Sequence, residues 1–220
     1  GRLDSTNIIN PILSIITNIG LDHTNLLGDT IAAIASEKAG IIKNNIPVVI
    51  GETTEETKRI FQDKALSTHS KIIFAEDCFE VSINENNEQY LTCKVIDKAS
   101  DKEDVIHSDL NGQYQLNNIR TVLTALKIID KKEFPLQENI NKKALSSVKK
   151  ITGLKGRWDV ISKDPTIILD VAHNKDGISW VLKQLQSEYP KNKLHFVLGF
   201  VNDKNINDVL DLLPKEAAYY

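Results

Sequence analysis

The sequence predicts an α/β fold with a mainly parallel sheet and some antiparallel strands, and three observations carry that reading. Short β-branched runs alternate with amphipathic stretches from Pro11 to Ala75, the pattern of parallel strands joined by helical crossovers. From Phe79 to Leu110 the helical spacing disappears, and short apolar segments between Asn-rich and Asp/Lys-rich turns predict antiparallel hairpins. After a glycine-containing joint at Gly153–Trp158 the alternation of strand and helix resumes, which predicts a second, doubly wound unit. The expected division is a first domain over residues 1–153 and a second over 154–220.

Pro11 opens a first strand that ends in Ile15 and Ile16, and Gly20 breaks it. Asp29 or Thr30 suits the N-cap of a helix from Ile31 to Lys38, with Gly40 as its stop. Pro47 to Ile50 reads as a short buried strand. Thr53 or Thr54 caps a helix running to Ser67, in which Ile60, Phe61 and Leu66 are spaced to cover one face. Ile72 to Phe74 gives the next strand. Leu116, Ile119, Leu123, Leu126 and Ile129 recur at helical spacing and predict a long helix from Gln115 to Asp130. Another helix is expected from Gln137 to Lys149, with Leu145 and Val148 facing inward. Beyond the joint come strands at Asp159–Ile161 and Thr166–Leu169, around a turn at Lys163-Asp164-Pro165. A helix from Asp176 to Tyr189, a strand from Leu194 to Phe200 and a helix from Asn205 to Leu213 complete the second unit.

Bulk properties narrow the function classes. A net charge of -3 argues against a protein held to nucleic acid by a general basic field, while leaving nucleotides open as ligands. No run approaches the roughly 20 apolar residues that span a bilayer, so no membrane partner is expected and a cytoplasmic address follows. Cys78 and Cys93 stand fifteen positions apart with no CxxC, the pattern of two reduced structural thiols. The 220 residues contain no methionine, open on Gly1-Arg2 and stop just past a βα unit, so a piece of a longer polypeptide is expected.

Two strand ends hold the chemistry. Open α/β sheets place ligands just beyond the carboxyl ends of their strands. Leu21-Asp22-His23 takes that position after the first strand, and Asp170-Val171-Ala172-His173-Asn174 takes it after Leu169. Lys38 lies in the last turn of the first helix, where charge alone reads it as a solvated cation favouring the helix dipole. The wider stretch GLDHTNLLGDTIAAIASEKAGIIK resembles the signature of the folylpolyglutamate synthase / dihydrofolate synthase branch of the Mur ligase family, and GRLDSTNII resembles the segment preceding it. GQYQLNNIRTVLTAL resembles that family's G-x-H-Q-x-x-N-A-x-x-A-L, with Tyr114 where histidine is common and Ile119 where alanine is common. Gly156-Arg157 and Asp-Val-Ala-His-Asn resemble two further family motifs, and all four fall in the family's order.

The resemblance implies the later part of a Mur-ligase-type central ATPase domain followed by the start of a Rossmann-like C-terminal domain. It implies an ATP-dependent amide ligase that phosphorylates a folate or dihydropteroate carboxylate and passes the acyl group to L-glutamate. By the same resemblance His23 and a carbamylated Lys38 hold Mg2+, Arg157 and His173 contact the phosphates of ATP, and Asn118 and Asp170 serve the nucleoside. Lys204 is given a weaker place near the nucleotide. A carbamate is an oxygen anion, which a hard divalent cation prefers. A monomer is expected. No G-x-x-x-x-G-K-[ST] occurs in the chain, and the family carries that loop upstream of the GRLDSTN segment, so the chain alone is expected neither to bind ATP tightly nor to turn over. Two alternatives are a cell-wall Mur ligase acting on a UDP-muramyl acid and a catalytically silent binding module.

Overall fold

The computed structural model describes residues 1–21, 28–86, 90–129, 134, 137–200 and 206–220. Three short strands, β1 (Ser14–Ile16), β2 (Val48–Ile50) and β3 (Ile72–Phe74), form a parallel sheet in that order. Two helices make the crossovers: α1 (Ile31–Ala39) and α2 (Glu55–Ser67). Both begin where the sequence signals them. Thr30 caps α1 by accepting from the Ala33 amide, and Thr54 forms a reciprocal capping box with Thr57 at α2. Ala35, Ala39, Val48, Ile50, Phe61 and Phe74 close the core between these helices and the sheet. The face of α2 is not the one expected. Leu66 is 77% exposed, and the inward stripe is Thr57, Phe61 and Ala65, four residues apart, which leaves Leu66 about 100° off it.

A four-residue helix α3 (Ala75–Cys78) leads into the expected antiparallel meander, β4 (Phe79–Asn86), β5 (Leu91–Asp97) and β6 (Lys102–Ser108). Helix α4 (Gln115–Ile128) then runs against both sheets. Its Ile119 joins Phe79, Leu91, Cys93, Val95 and Ile106 in a second core. The same helix covers the other side of β2, which explains why Val48, Val49 and Ile50 are all buried. Cys78 and Cys93 are free thiols, and burial pushes Cys93 up to about 11, in keeping with a structural role.

The long helix expected from Gln137 to Lys149 is two helices, α5 (Glu138–Leu145) and α6 (Val148–Thr152). The cause is a capping carboxylate distant in sequence. Asp109 accepts from the backbone amides of Val148 and Lys149, each at 2.9 Å, and so starts a new helix after Ser146-Ser147.

The joint at Gly153–Trp158 carries three positive φ angles, 70° at Gly153, 71° at Gly156 and 50° at Trp158. Beyond it β7 (Asp159–Lys163) and β8 (Thr166–Leu169) pair antiparallel around the expected turn at Lys163-Asp164-Pro165. Their connection is too short for the crossover that parallel pairing needs. Helix α7 (Lys175–Glu188) follows, capped by Asn174, then β9 (His195–Phe196), α8 (Ile206–Leu210) and β10 (Ala218–Tyr219), which lies parallel to β9. The strand expected to reach Phe200 ends at Phe196, and Val197 is 84% exposed. Among the described residues three strand pairs are parallel and three antiparallel, so the sheets are mixed and not mainly parallel.

Residues on either side of the joint meet along a polar seam. Gln184 of α7, 1% exposed, donates to the Asn111 carbonyl at 3.0 Å and accepts from the Gln113 amide at 2.8 Å. Glu188 accepts from Asn86 at 2.9 Å and from Gln184 at 2.8 Å, and the Trp158 indole also hydrogen-bonds it.

Candidate active site

The carboxyl ends of the parallel strands face the start of α7. Lys38, in the last turn of α1, donates from Nζ to the carbonyl of Asn18 at 3.1 Å, just past the end of β1. Two residues on, Gly20 lies under the Asp176 carboxylate of α7, so closely that a Cβ there would stand 2.6 Å from Oδ2. The loop leaving β1 is thus touched by α1 from one side and by α7 from the other. His23 and Lys204 lie outside the described residues.

After β2 comes Glu52, which accepts from Asn117 of α4 at 2.8 Å. Arg120, one turn further along α4, donates to Asn117 Oδ1 at 3.1 Å. Burial raises the Glu52 pKa above the ordinary 4.5, Glu76 and Asp176 add to the rise, and Arg120 opposes it. A carboxyl that binds its proton more tightly when folded favours the folded state fully below its unfolded pKa, and loses that contribution as pH rises through the folded value. Glu52→Gln, which keeps an acceptor for Asn117, is therefore expected to flatten part of the stability loss that the wild-type chain shows as pH climbs above 4.5. Urea unfolding across that range checks it.

Four of the six residues singled out in the sequence converge near the joint. Asp170, directly after β8, accepts at Oδ2 from the Tyr114 hydroxyl and the Trp158 amide, both at 2.8 Å, and at Oδ1 from the Ala172 amide at 2.9 Å. Arg157, half-buried beside Trp158, is close enough to the Tyr114 phenol to act on it electrostatically. Asn118 donates to Gln115 Oε1 at 2.7 Å, and Gln115 hydrogen-bonds Tyr114 in turn. His173 is exposed, and its Nδ1 lies 3.0 Å from the Val171 carbonyl. A carbonyl only accepts, so Nδ1 holds the proton and Nε2 of the neutral ring is an acceptor.

Lys38 lies by the other strand end. Among the described residues no group of three His, Cys, Asp or Glu side chains forms a metal site, and the Lys38 ammonium is a donor and not a ligand. A cavity of about 540 Å³ lies elsewhere, under α5, floored by Phe79, Ile106 and Leu123 and rimmed by paired charges such as Lys142–Asp104; none of the six residues lines it.

The model of the Mur ligase glutamate ligase domain matches residues 156–220. A dihydrofolate synthase/folylpolyglutamate synthase of Bacillus subtilis is 30% identical over 97% of this chain and 49% of its own length. One of Buchnera aphidicola (subsp. Acyrthosiphon pisum) is 33% identical over the whole chain and 49% of its own length. The Mur ligase match thus covers the residues after the joint, and the similarity to the two synthases covers nearly the whole chain.

Solved structures are similar over the whole chain. An FPGS–AMPPCP–folate complex superposes with a TM-score of 0.88 at 30% identity, over all of this chain and 52% of that one. E. coli FolC in complex with DHPP and ADP gives 0.79 at 26% identity, over all of this chain and 49% of that one. The chain spans about half the length of the curated relatives it matches.

Three contributors escaped the sequence reading. Tyr114 was visible only as a departure from the resembling motif, and that departure was the available signal. Glu52 and Arg120 carried none, because their proximity depends on how α4 crosses the end of β2.

Proposed function

We propose that this chain forms part of an ATP-dependent ligase that joins L-glutamate to a folate or dihydropteroate carboxylate. The γ-phosphoryl group of ATP passes to the carboxylate oxygen and ADP leaves. The glutamate amine then attacks the acyl carbon, forming the amide and expelling phosphate with loss of the amine proton. Asp170 and Asn118 orient the nucleoside, while Arg157 and His173 steady the phosphates. Phosphoryl transfer to a carboxylate brings anions together, and a planar, permanently charged guanidinium suits their neutralisation. The observation that carries this reading is the single hydrogen-bonded run from Asn118 through Gln115 and Tyr114 to Asp170, with Arg157 beside it. It joins two segments, 112–126 and 156–174, that the family resemblance had linked only by their order.

A domain boundary at 153/154 belongs to the same proposal, supported by the family match that begins at residue 156. Magnesium enters only through a carbamate on Lys38, acting with His23. A cytoplasmic monomer is also part of this reading.

The test is a polypeptide in which this chain follows a phosphate-loop segment, assayed for ADP release. Release that requires both L-glutamate and a folate or dihydropteroate supports the proposal. Release that instead requires a UDP-muramyl acid, or no release with any acceptor, overturns it.

A further inference from the structure

We propose that Tyr114 is a positioning residue of the nucleotide site: its hydroxyl, reaching from the foot of α4 to Asp170 Oδ2, turns the carboxylate so that one acceptor direction, at Oδ1, is left for a single ribose hydroxyl. This rests on the reading of Asp170 as a nucleoside ligand, and adds which atom serves and what aims it.

A carboxylate offers about four acceptor directions, two on each oxygen. At Asp170 Oδ2, the Tyr114 hydroxyl and the Trp158 amide take both, each at 2.8 Å. At Oδ1 the Ala172 amide takes one, at 2.9 Å. The backbone donors come from the joint itself and from just beyond it, and only Tyr114 comes from α4's side. Without Tyr114 two backbone donors remain, one on each oxygen, and Oδ2 gains an open acceptor direction of its own, so a ribose hydroxyl is no longer directed to Oδ1 alone.

The local build supports a dedicated donor. Tyr114 packs its ring over Gly112, where a Cβ would fall 2.6 Å from Cε1, so the ring occupies space that only glycine leaves. Gln115 links the phenol to Asn118, the other residue assigned to the nucleoside. Burial and the neighbouring Asp170 both raise the phenol pKa, so the hydroxyl keeps its proton and donates throughout the neutral range.

The experiment uses the ligase-competent polypeptide and measures kcat and KM for ATP, 2′-deoxy-ATP and 3′-deoxy-ATP. A hydrogen bond to a charged group corresponds to about a tenfold change in affinity. In the wild type one of the two deoxy analogues, and not both, should show KM raised by about tenfold. Tyr114→Phe should raise KM for ATP by a similar factor of about ten with kcat held within about twofold, and Tyr114→His, which restores a donor, should recover part of the loss. An unchanged KM in Tyr114→Phe, a fall in kcat alone, or equal penalties for both analogues overturns the proposal. Absence of turnover in the wild type would overturn the ligase reading, and the bridge is then judged on the 220-residue chain itself. There the thermal shifts of Tyr114→Phe and Asp170→Asn should be non-additive, and additive shifts overturn it.

Discussion

Trp158→Ala is expected to lower the unfolding free energy by about 3–5 kcal/mol, among the largest losses any single substitution in this chain should produce. The indole is 2% exposed and holds three things at once. It fills the joint between α7 and the residues before it, it hydrogen-bonds Glu188, and its own amide donates to Asp170 at 2.8 Å. Its φ of 50° is unfavourable for a residue with a side chain, so the surrounding contacts must outweigh that strain. Alanine keeps the strain and loses the packing. Trp158→Phe should retain most of the burial while giving up the indole N–H, and so fall between the two. Urea unfolding of the three chains measures the order, and a loss under about 1 kcal/mol in Trp158→Ala would remove Trp158 from its place as the anchor of the joint.

Lys38→Met should reduce ATP-dependent glutamate ligation by roughly 10²- to 10³-fold while changing stability little, since losing one group that stabilises transition-state charge has costs of that size. The asymmetry is the informative part. In the folded chain Lys38 donates to the Asn18 carbonyl at 3.1 Å, and a bond of that kind contributes only about 1 kcal/mol. A large loss of turnover beside a small loss of stability therefore separates chemistry from folding. Incubation of the ligase-competent polypeptide with ¹³C-bicarbonate should also give a carbamate resonance that Lys38→Met lacks. Full activity in Lys38→Met, or a carbamate signal that survives the substitution, would sink the assignment.

What the sequence made legible was local. Thr30 and Thr54 each sit where a short polar side chain precedes a helical stretch, and each caps its helix. The β-branched run at Val48–Ile50 is buried as its composition implies. One misreading has its cause far away in the chain: Asp109 divides a helix that periodicity joined. At the site, the motif residues Asn118, Arg157, Asp170 and His173 were visible as residue types in order. The tyrosine that ties two of them together was not, because its role lies in a contact across 56 positions.

The side-chain amide of Gln184 bears on how the two halves of the molecule move. Wedged between the Gln113 amide and the Asn111 carbonyl, it meets its partners in only one relative orientation. A swing about the glycines of the joint cannot slide over such a contact as it could over leucine against leucine. It must strip the amide and let water take over, passing through a stage in which buried donors face nothing. Any motion at this joint has to open the polar seam, the Asn86–Glu188 bond included, rather than slide across it.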